Sequence, residues 1–413
     1  MTQPTLGNRW KYIGPGIVAA ATGVGAGDLV ATLIAGSLFG YTLLWAAVIG
    51  AVLKISLAEA VGRWSLAGGR TIFDGWSSLG RWASVYFGVY VVFWGFVYGA
   101  AAMTATALPL AALFPAVDLK VWAMIAGVTG LGLTWINSYA AFEKIMTGFV
   151  GIMFVTVVGL VVIVTPNIPA LLSGLVPMLP AGSAYYTLGL IGGVGGTITI
   201  AAYGYWIGQK GWRTPHWMRV MRLDNRVGYA VTGVFVIAML IVGAELLYSA
   251  GIALQGGNRG LLDLGNVLED RFGRPVAILF LVGFWATSFS SLLGVWNGVS
   301  LMFADFVAHV RGKAGDEAAR GQKSPAFRAY LFWLTFPPML LLFIGRPFGL
   351  IVAYGVLGSL FMPFLALTLI WLLNSERTPR EWRSGWLSNA MLGAAALLFC
   401  VLAGNELWEA AFS

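Results

Sequence analysis

The chain has 413 residues, of which 59% are hydrophobic and only 10% charged, with a formal net charge of +8. A soluble domain carries about 25% charged residues, so this composition excludes a water-exposed particle and points to a bundle of membrane helices. The basic balance does not indicate nucleic acid, because Lys and Arg sit in short segments between apolar runs, as the positive-inside bias requires.

In chain order, apolar runs long enough to cross about 30 Å of hydrocarbon occupy 13–38, 42–62, 83–113, 121–140, 146–165, 186–208, 228–253, 276–308, 327–345, 348–373 and 387–411. They predict an all-α membrane protein with eleven transmembrane helices. With a cytoplasmic N-terminus, the inside segments hold nineteen of the 25 Lys and Arg residues, the outside segments five, and Lys54 lies within the second span. Positive residues are retained on the cytoplasmic side, so the threading is N-terminus in and C-terminus out, across the plasma or inner membrane. No cleavable signal peptide is expected ahead of the first span. The longest loops, 209–227, 254–275 and 309–326, leave no room for a soluble domain. A single cysteine, Cys400, and two histidines, His216 and His309, supply neither an intrachain disulfide nor a histidine-rich metal site. No nucleophile, base and orienting group converge, so an enzyme is not expected.

Two spans carry glycine runs in their middle. The first reads Ala21-Thr22-Gly23-Val24-Gly25-Ala26-Gly27-Asp28 and the sixth reads Gly192-Gly193-Val194-Gly195-Gly196-Thr197-Ile198-Thr199. Glycine weakens helix interiors, so Gly23, Gly25, Gly27, Gly192, Gly193, Gly195 and Gly196 are candidate helix breaks. Unwound backbone at membrane depth is tolerated only where it is buried in protein or lines a cavity. Glycine-interrupted spans at matching places in two halves are the mark of a transporter site between inverted repeats. Spans 1–5 and 6–10 are then two five-helix repeats, about 12–165 and 186–373, in a transporter core of 1–373. Residues 374–413 supply a cytoplasmic linker and an additional eleventh helix. The alternative is close helix packing through small faces.

Asp28 is the most informative side chain. A carboxylate near the bilayer centre costs about 2.5–3.5 kcal/mol, so it should face a cation, a substrate or a compensating dipole. It can cap the second half-helix, bind a cation or carry a proton, and capping and binding are compatible. Backbone carbonyls near Gly25 and Gly193 and the hydroxyls of Thr197 and Thr199 can complete a metal site with it. Alternatively, the threonine hydroxyls bond carbonyls one turn back. Lys54 at mid-span, with Ser290, Ser291 and Asn297 of the eighth span, forms a possible second cation or coupling site. Glu245 and Asp305 are read as structural. Trp82, Tyr86, Tyr90, Trp94 and Tyr98 form a stripe on the third span, read as packing or as a wall for an organic cation.

Several segments resemble the Nramp (natural resistance-associated macrophage protein) divalent-metal transporters. They are Gly14-Pro15-Gly16, the first break, Ala35-Gly36 and Gly40-Tyr41-Thr42-Leu43-Leu44-Trp45, then Leu172-Ser173-Gly174-Leu175-Val176-Pro177 and Leu179-Pro180. Ser288 to Gly294, Ser359-Leu360 and Pro363-Phe364 continue the likeness in order along nearly the whole chain. The resemblance implies a leucine-transporter-like 5+5 inverted repeat with broken helices 1 and 6. The metal-binding motifs depart from it. The family's Asp-Pro-Gly-Asn stands here as Gly25-Ala26-Gly27-Asp28, and its Met-Pro-His as Gly196-Thr197-Ile198. The third span, Trp82 to Phe114, lacks the acidic residue of the family's proton route.

Without thioether or imidazole, a site of carboxylate, carbonyls and hydroxyls suits a hard cation such as Mg²⁺ or Mn²⁺. In this respect the chain resembles the magnesium-type branch of the family. The expected function is alternating-access passage of such a cation with weak or absent proton coupling. The alternative is Na⁺- or H⁺-coupled symport of a small organic solute. No cofactor is expected, and the partners are membrane lipid and the transported ion or solute, with the protein a monomer or loose oligomer.

Overall fold

The computed structural model describes residues 12–136, 138–249, 258–344 and 347–412, and within its helices leaves out some side chains, that of Asp28 among them. The helices in chain order are α1 (Pro15–Gly23), α2 (Ala26–Phe39), α3 (Leu44–Gly68), α4 (Ile72–Ser78), α5 (Arg81–Leu113), α6 (Leu119–Ile136) and α7 (Tyr139–Val164). They continue as α8 (Ile168–Ser173), α9 (Ala184–Gly193), α10 (Thr199–Gln209), α11 (Met218–Gly243), α12 (Asn258–Phe272) and α13 (Arg274–Val310). The last are α14 (Glu317–Arg320), α15 (Pro325–Met339), α16 (Pro347–Asn374) and α17 (Trp386–Phe412). No strand occurs among the described residues. Eight of their helical stretches are long and apolar enough to cross a membrane, and α16 adds a shorter apolar run over Leu360–Asn374.

The first and sixth apolar runs are each two helices. Pro15, whose missing N–H suits a first helical position, opens α1, and the chain leaves helical geometry at Val24 (φ −96°, ψ 92°) before α2 begins. At the other gap Val194 leaves helical geometry (φ −59°, ψ 111°) and Gly195 and Gly196 take φ of +82° and +79°, a region glycine enters without the Cβ penalty. The two gaps meet: a Cβ on Gly23 would lie 2.6 Å from the carbonyl carbon of Gly195. Gly27, Gly192 and Gly193, expected within the breaks, instead belong to the flanking helices. Glycine is well tolerated in a terminal turn, so the unwound segments narrow to Val24–Gly25 and 194–198.

Elsewhere the helices outrun the apolar runs because charged side chains find partners on them. The seventh run, expected from 228, starts at Met218, with Arg222 on Glu59 at 3.0 Å and Asp224 fully buried. α3 continues past 62 through Arg63, which pairs with Glu59 at 3.2 Å. The loop expected over 254–275 carries amphipathic α12, which packs on α13. The far end of the expected seventh span, beyond Ser249, lies outside the described residues. α13 runs through the centre of the bundle, packed on α1, α5, α7, α10 and α15.

Candidate functional site

Where the two breaks meet, a cavity of about 40 Å³ opens. Thr22, Gly23 and Gly25 line it from the first break, and Gly196, Thr197 and Thr199 from the second. Trp94 and Tyr98 of α5 and Ser291 and Val295 of α13 close the sides. The polar groups its lining residues carry are hydroxyls, backbone and the Trp94 indole N–H. A second hollow of about 10 Å³ near Val24 and Met153 is apolar and offers no ligand.

The serines of α13 are tied to the end of α1. Ser290 donates to the carbonyls of Ala21 at 3.0 Å and Thr287 at 2.9 Å, and Ser291 donates to the carbonyl of Thr22 at 2.9 Å. The Ala21 and Thr22 carbonyls are among those α1 leaves unsatisfied at its C-terminus, so the serines mark where that negative dipole end points. Thr22 turns its own hydroxyl back to Val18 at 2.7 Å, leaving its oxygen lone pairs as acceptors. The Gly25 carbonyl accepts the Leu29 N–H at 3.1 Å and so begins the helical bonding of α2.

The remaining sequence candidates divide. Thr197 and Thr199 line the cavity, with Thr197 also against Gly358 of α16. Lys54, fully buried, donates to the carbonyl of Gly196 and lies 5.0 Å from the Phe399 ring centroid. Asn297 stands apart from the cavity, its amide oxygen accepting the Trp206 indole N–H at 2.9 Å. Gly193 ends α9, and Asp28 is the third residue of α2, its side chain lying outside the described residues. Among the described residues, no group of three or more His, Cys, Asp or Glu could hold a metal ion.

The aromatic stripe changes role along its length. Trp82 is half exposed, while Tyr86 and Tyr90 each donate to a carbonyl of α16, those of Leu360 and Leu357, at 2.9 Å. Trp94 and Tyr98, stacked at 4.6 Å, reach the cavity wall. Tyr98 lies 3.2 Å from the Ser291 hydroxyl, and the buried Trp94 indole N–H has no acceptor among the described residues.

Beyond Glu245 and Asp305, which the sequence reading named as structural, sequence reasoning missed the carboxylates that fasten the half-helices. Asp224 of α11 accepts the N–H groups of Gly14 at 2.8 Å and Gly16 at 2.6 Å and the Tyr203 hydroxyl at 2.9 Å. It thereby caps α1 from 208 residues away, since Gly14 offers no side chain for the purpose. Glu143 pairs with Lys210 beside it. Asp305, fully buried on α13, accepts from Tyr205 of α10 at 2.7 Å and pairs with Arg320 at 2.6 Å. His309 bridges this cluster to Asp74 at 3.0 Å. Burial alone would raise the Asp74 carboxyl, but hydrogen bonds from His309, the Thr71 backbone and Arg320 hold it well below the usual carboxylate range. At the opposite end Glu245 accepts from Tyr41 and from the Asn167 N–H at 3.0 Å. The hint available in sequence was the uncapped Gly14-Pro15-Gly16 start, which requires an acceptor without saying where it comes from.

A family model described as natural resistance-associated macrophage protein-like matches residues 16–409. The divalent metal cation transporter MntH of Mycobacterium tuberculosis is 26% identical over 315 residues, covering 73% of this chain and 72% of that protein. A manganese transporter of Eremococcus coleocola shares the fold with a TM-score of 0.78 at 16% identity, over 98% of this chain and 88% of that one. A nucleobase-cation-symport-1 family transporter follows at a TM-score of 0.58 and 16% identity, over 95% and 92%. The match from the start of α1 almost to the end of α17, on a bundle with two interrupted helices, places the chain plainly: it belongs to the Nramp family, whose members are membrane transporters and not enzymes.

Proposed function

We propose that the protein moves a divalent metal cation, Mg²⁺ or Mn²⁺, by alternating access, with proton coupling weak or lost. The observation that carries this reading is the cavity of hydroxyls and backbone at the meeting of the two breaks. MntH supports the cargo class by its name. The exchange of Met-Pro-His for Gly196-Thr197-Ile198 removes the soft donors and favours a hard ion that keeps part of its water. Asp28 is the charged ligand in this reading, assisted by backbone near Gly25 and Gly193 and by Thr197 and Thr199. Ser290, Ser291 and Lys54 form the second cation or coupling site. The missing acid of the third span is the reason for weak coupling.

Counting each interrupted pair and α16 as one span adds three to the eight long helices and gives eleven. Residues 12–165 and 186–373 are then the two inverted repeats, and 374–413 a linker and extra helix. The charge bias of the loops supports a cytoplasmic N-terminus and an external C-terminus.

A second reading, Na⁺- or H⁺-coupled symport of a small organic solute, is favoured by the Trp94 indole N–H, which seeks an acceptor oxygen. Flux of a panel of divalent ions into proteoliposomes, with and without a pH gradient, separates the two. Uptake of Mg²⁺ or Mn²⁺ that hardly responds to the gradient and is abolished by Asp28→Ala is the expected result. Flux of no metal would move the assignment to the organic solute.

A further inference from the structure

Lys54 sits in the middle of α3 with no solvent exposure. An ammonium in such a place is costly to desolvate, and a packing role alone could be met by a neutral side chain of similar length. Its surroundings treat it as a cation: it donates to the Gly196 carbonyl and lies over the Phe399 ring of α17. The carbonyl it holds belongs to the second break. Gly196 lines the cavity, and its φ of +79° fixes that peptide in a turn. Tyr229 of α11 packs on the adjacent Gly195, within 3.5 Å of its carbonyl oxygen. A divalent ion entering the cavity meets a ligand group already engaged by a positive charge, and the two repel.

We propose that Lys54 is a tethered stand-in for the cargo: its ammonium occupies the Gly196 carbonyl in the empty carrier and gives it up when the divalent cation enters. The inference rests on the divalent-cation reading. Loaded and empty carriers then present the breaks with a comparable charge, and the empty one can reorient without a metal. Lys54 would thus set both the affinity for the cation and the balance between net transport and metal-for-metal exchange.

The test uses the full chain, with Mn²⁺ binding measured by calorimetry and labelled Mn²⁺ followed in proteoliposomes. Lys54→Gln keeps an N–H donor and loses the charge, and Lys54→Met loses both. If the charge matters, both variants bind Mn²⁺ at least about tenfold tighter, the scale of relief from one nearby like charge. Both also keep exchange against internal Mn²⁺ while net uptake into metal-free vesicles falls about as much. A strut role gives a different pattern, with Gln matching the wild type and Met impaired, and that overturns the proposal. Should the neutral variants fail to fold, Lys54→Arg decides, because a larger, five-donor guanidinium releases the Gly196 carbonyl less readily and must weaken Mn²⁺ binding, and unchanged binding overturns the tether. Wild-type Mn²⁺ flux with unaltered Lys54→Gln removes the tether alone. Absence of Mn²⁺ and Mg²⁺ flux in every form removes the divalent reading, and the tether with it.

Discussion

At the scale of single residues, the carboxylates divide into those that inspection picks out within apolar spans, Asp28 above all, and those it does not. Asp28 stands beside a glycine run in an apolar span, where its cost makes it conspicuous. Asp224 follows an arginine-rich stretch and reads as loop, yet it is fully buried and receives two backbone N–H groups and a tyrosine hydroxyl. The difference is one of distance in sequence, since its partners Gly14 and Gly16 lie more than two hundred residues away. Removing it leaves the Gly14 and Gly16 N–H groups unpaired inside the protein, while the Tyr203 hydroxyl keeps the Met221 carbonyl at 3.2 Å. Asp224→Ala should therefore destabilise the fold by on the order of 3 kcal/mol, seen as a large fall in the thermal midpoint of the purified protein. Asp224→Asn, which keeps one acceptor oxygen, should recover part of the loss, and equal midpoints for all three proteins would remove the cap from the account.

At the scale of elements, periodicity and composition predicted where apolar helices lie but not where the unwound gaps begin and end. Seven glycines were candidates for breaks, and the gaps retain three of them within 24–25 and 194–198, with Gly23 at the end of α1. What singles out Gly195 is its φ of +82° and a Cβ position 2.6 Å from Tyr229 Cε1. Both are tertiary facts. An alanine there takes a left-handed conformation at roughly 1–2 kcal/mol and displaces the ring as well. Gly195→Ala should lower both the thermal midpoint and Mn²⁺ flux. Gly189→Ala, inside α9 with nothing within 4 Å of its Cβ position, should leave the midpoint unchanged or raise it, since alanine is the better helix former. A similar loss in both would argue against the special role of the break.

For the molecule as a whole, hydropathy was enough to establish a membrane bundle, because a lipid-facing chain must satisfy its backbone within helices. Loop charge added a direction of threading. Neither could show that the two glycine runs touch, which depends on the packing of α1 and α10 against α13. That packing has a kinetic corollary. α1 is a nine-residue rod fastened at both ends by other helices, through Asp224 at one end and Ser290 and Ser291 at the other. Any movement that opens the cavity along α1 must trade those bonds for water, and the Gly16 amide is sealed until it does. Hydrogen–deuterium exchange at Gly16 thus becomes a clock for the carrier, with slow exchange at rest and faster exchange, keeping step with turnover, once Mn²⁺ is supplied.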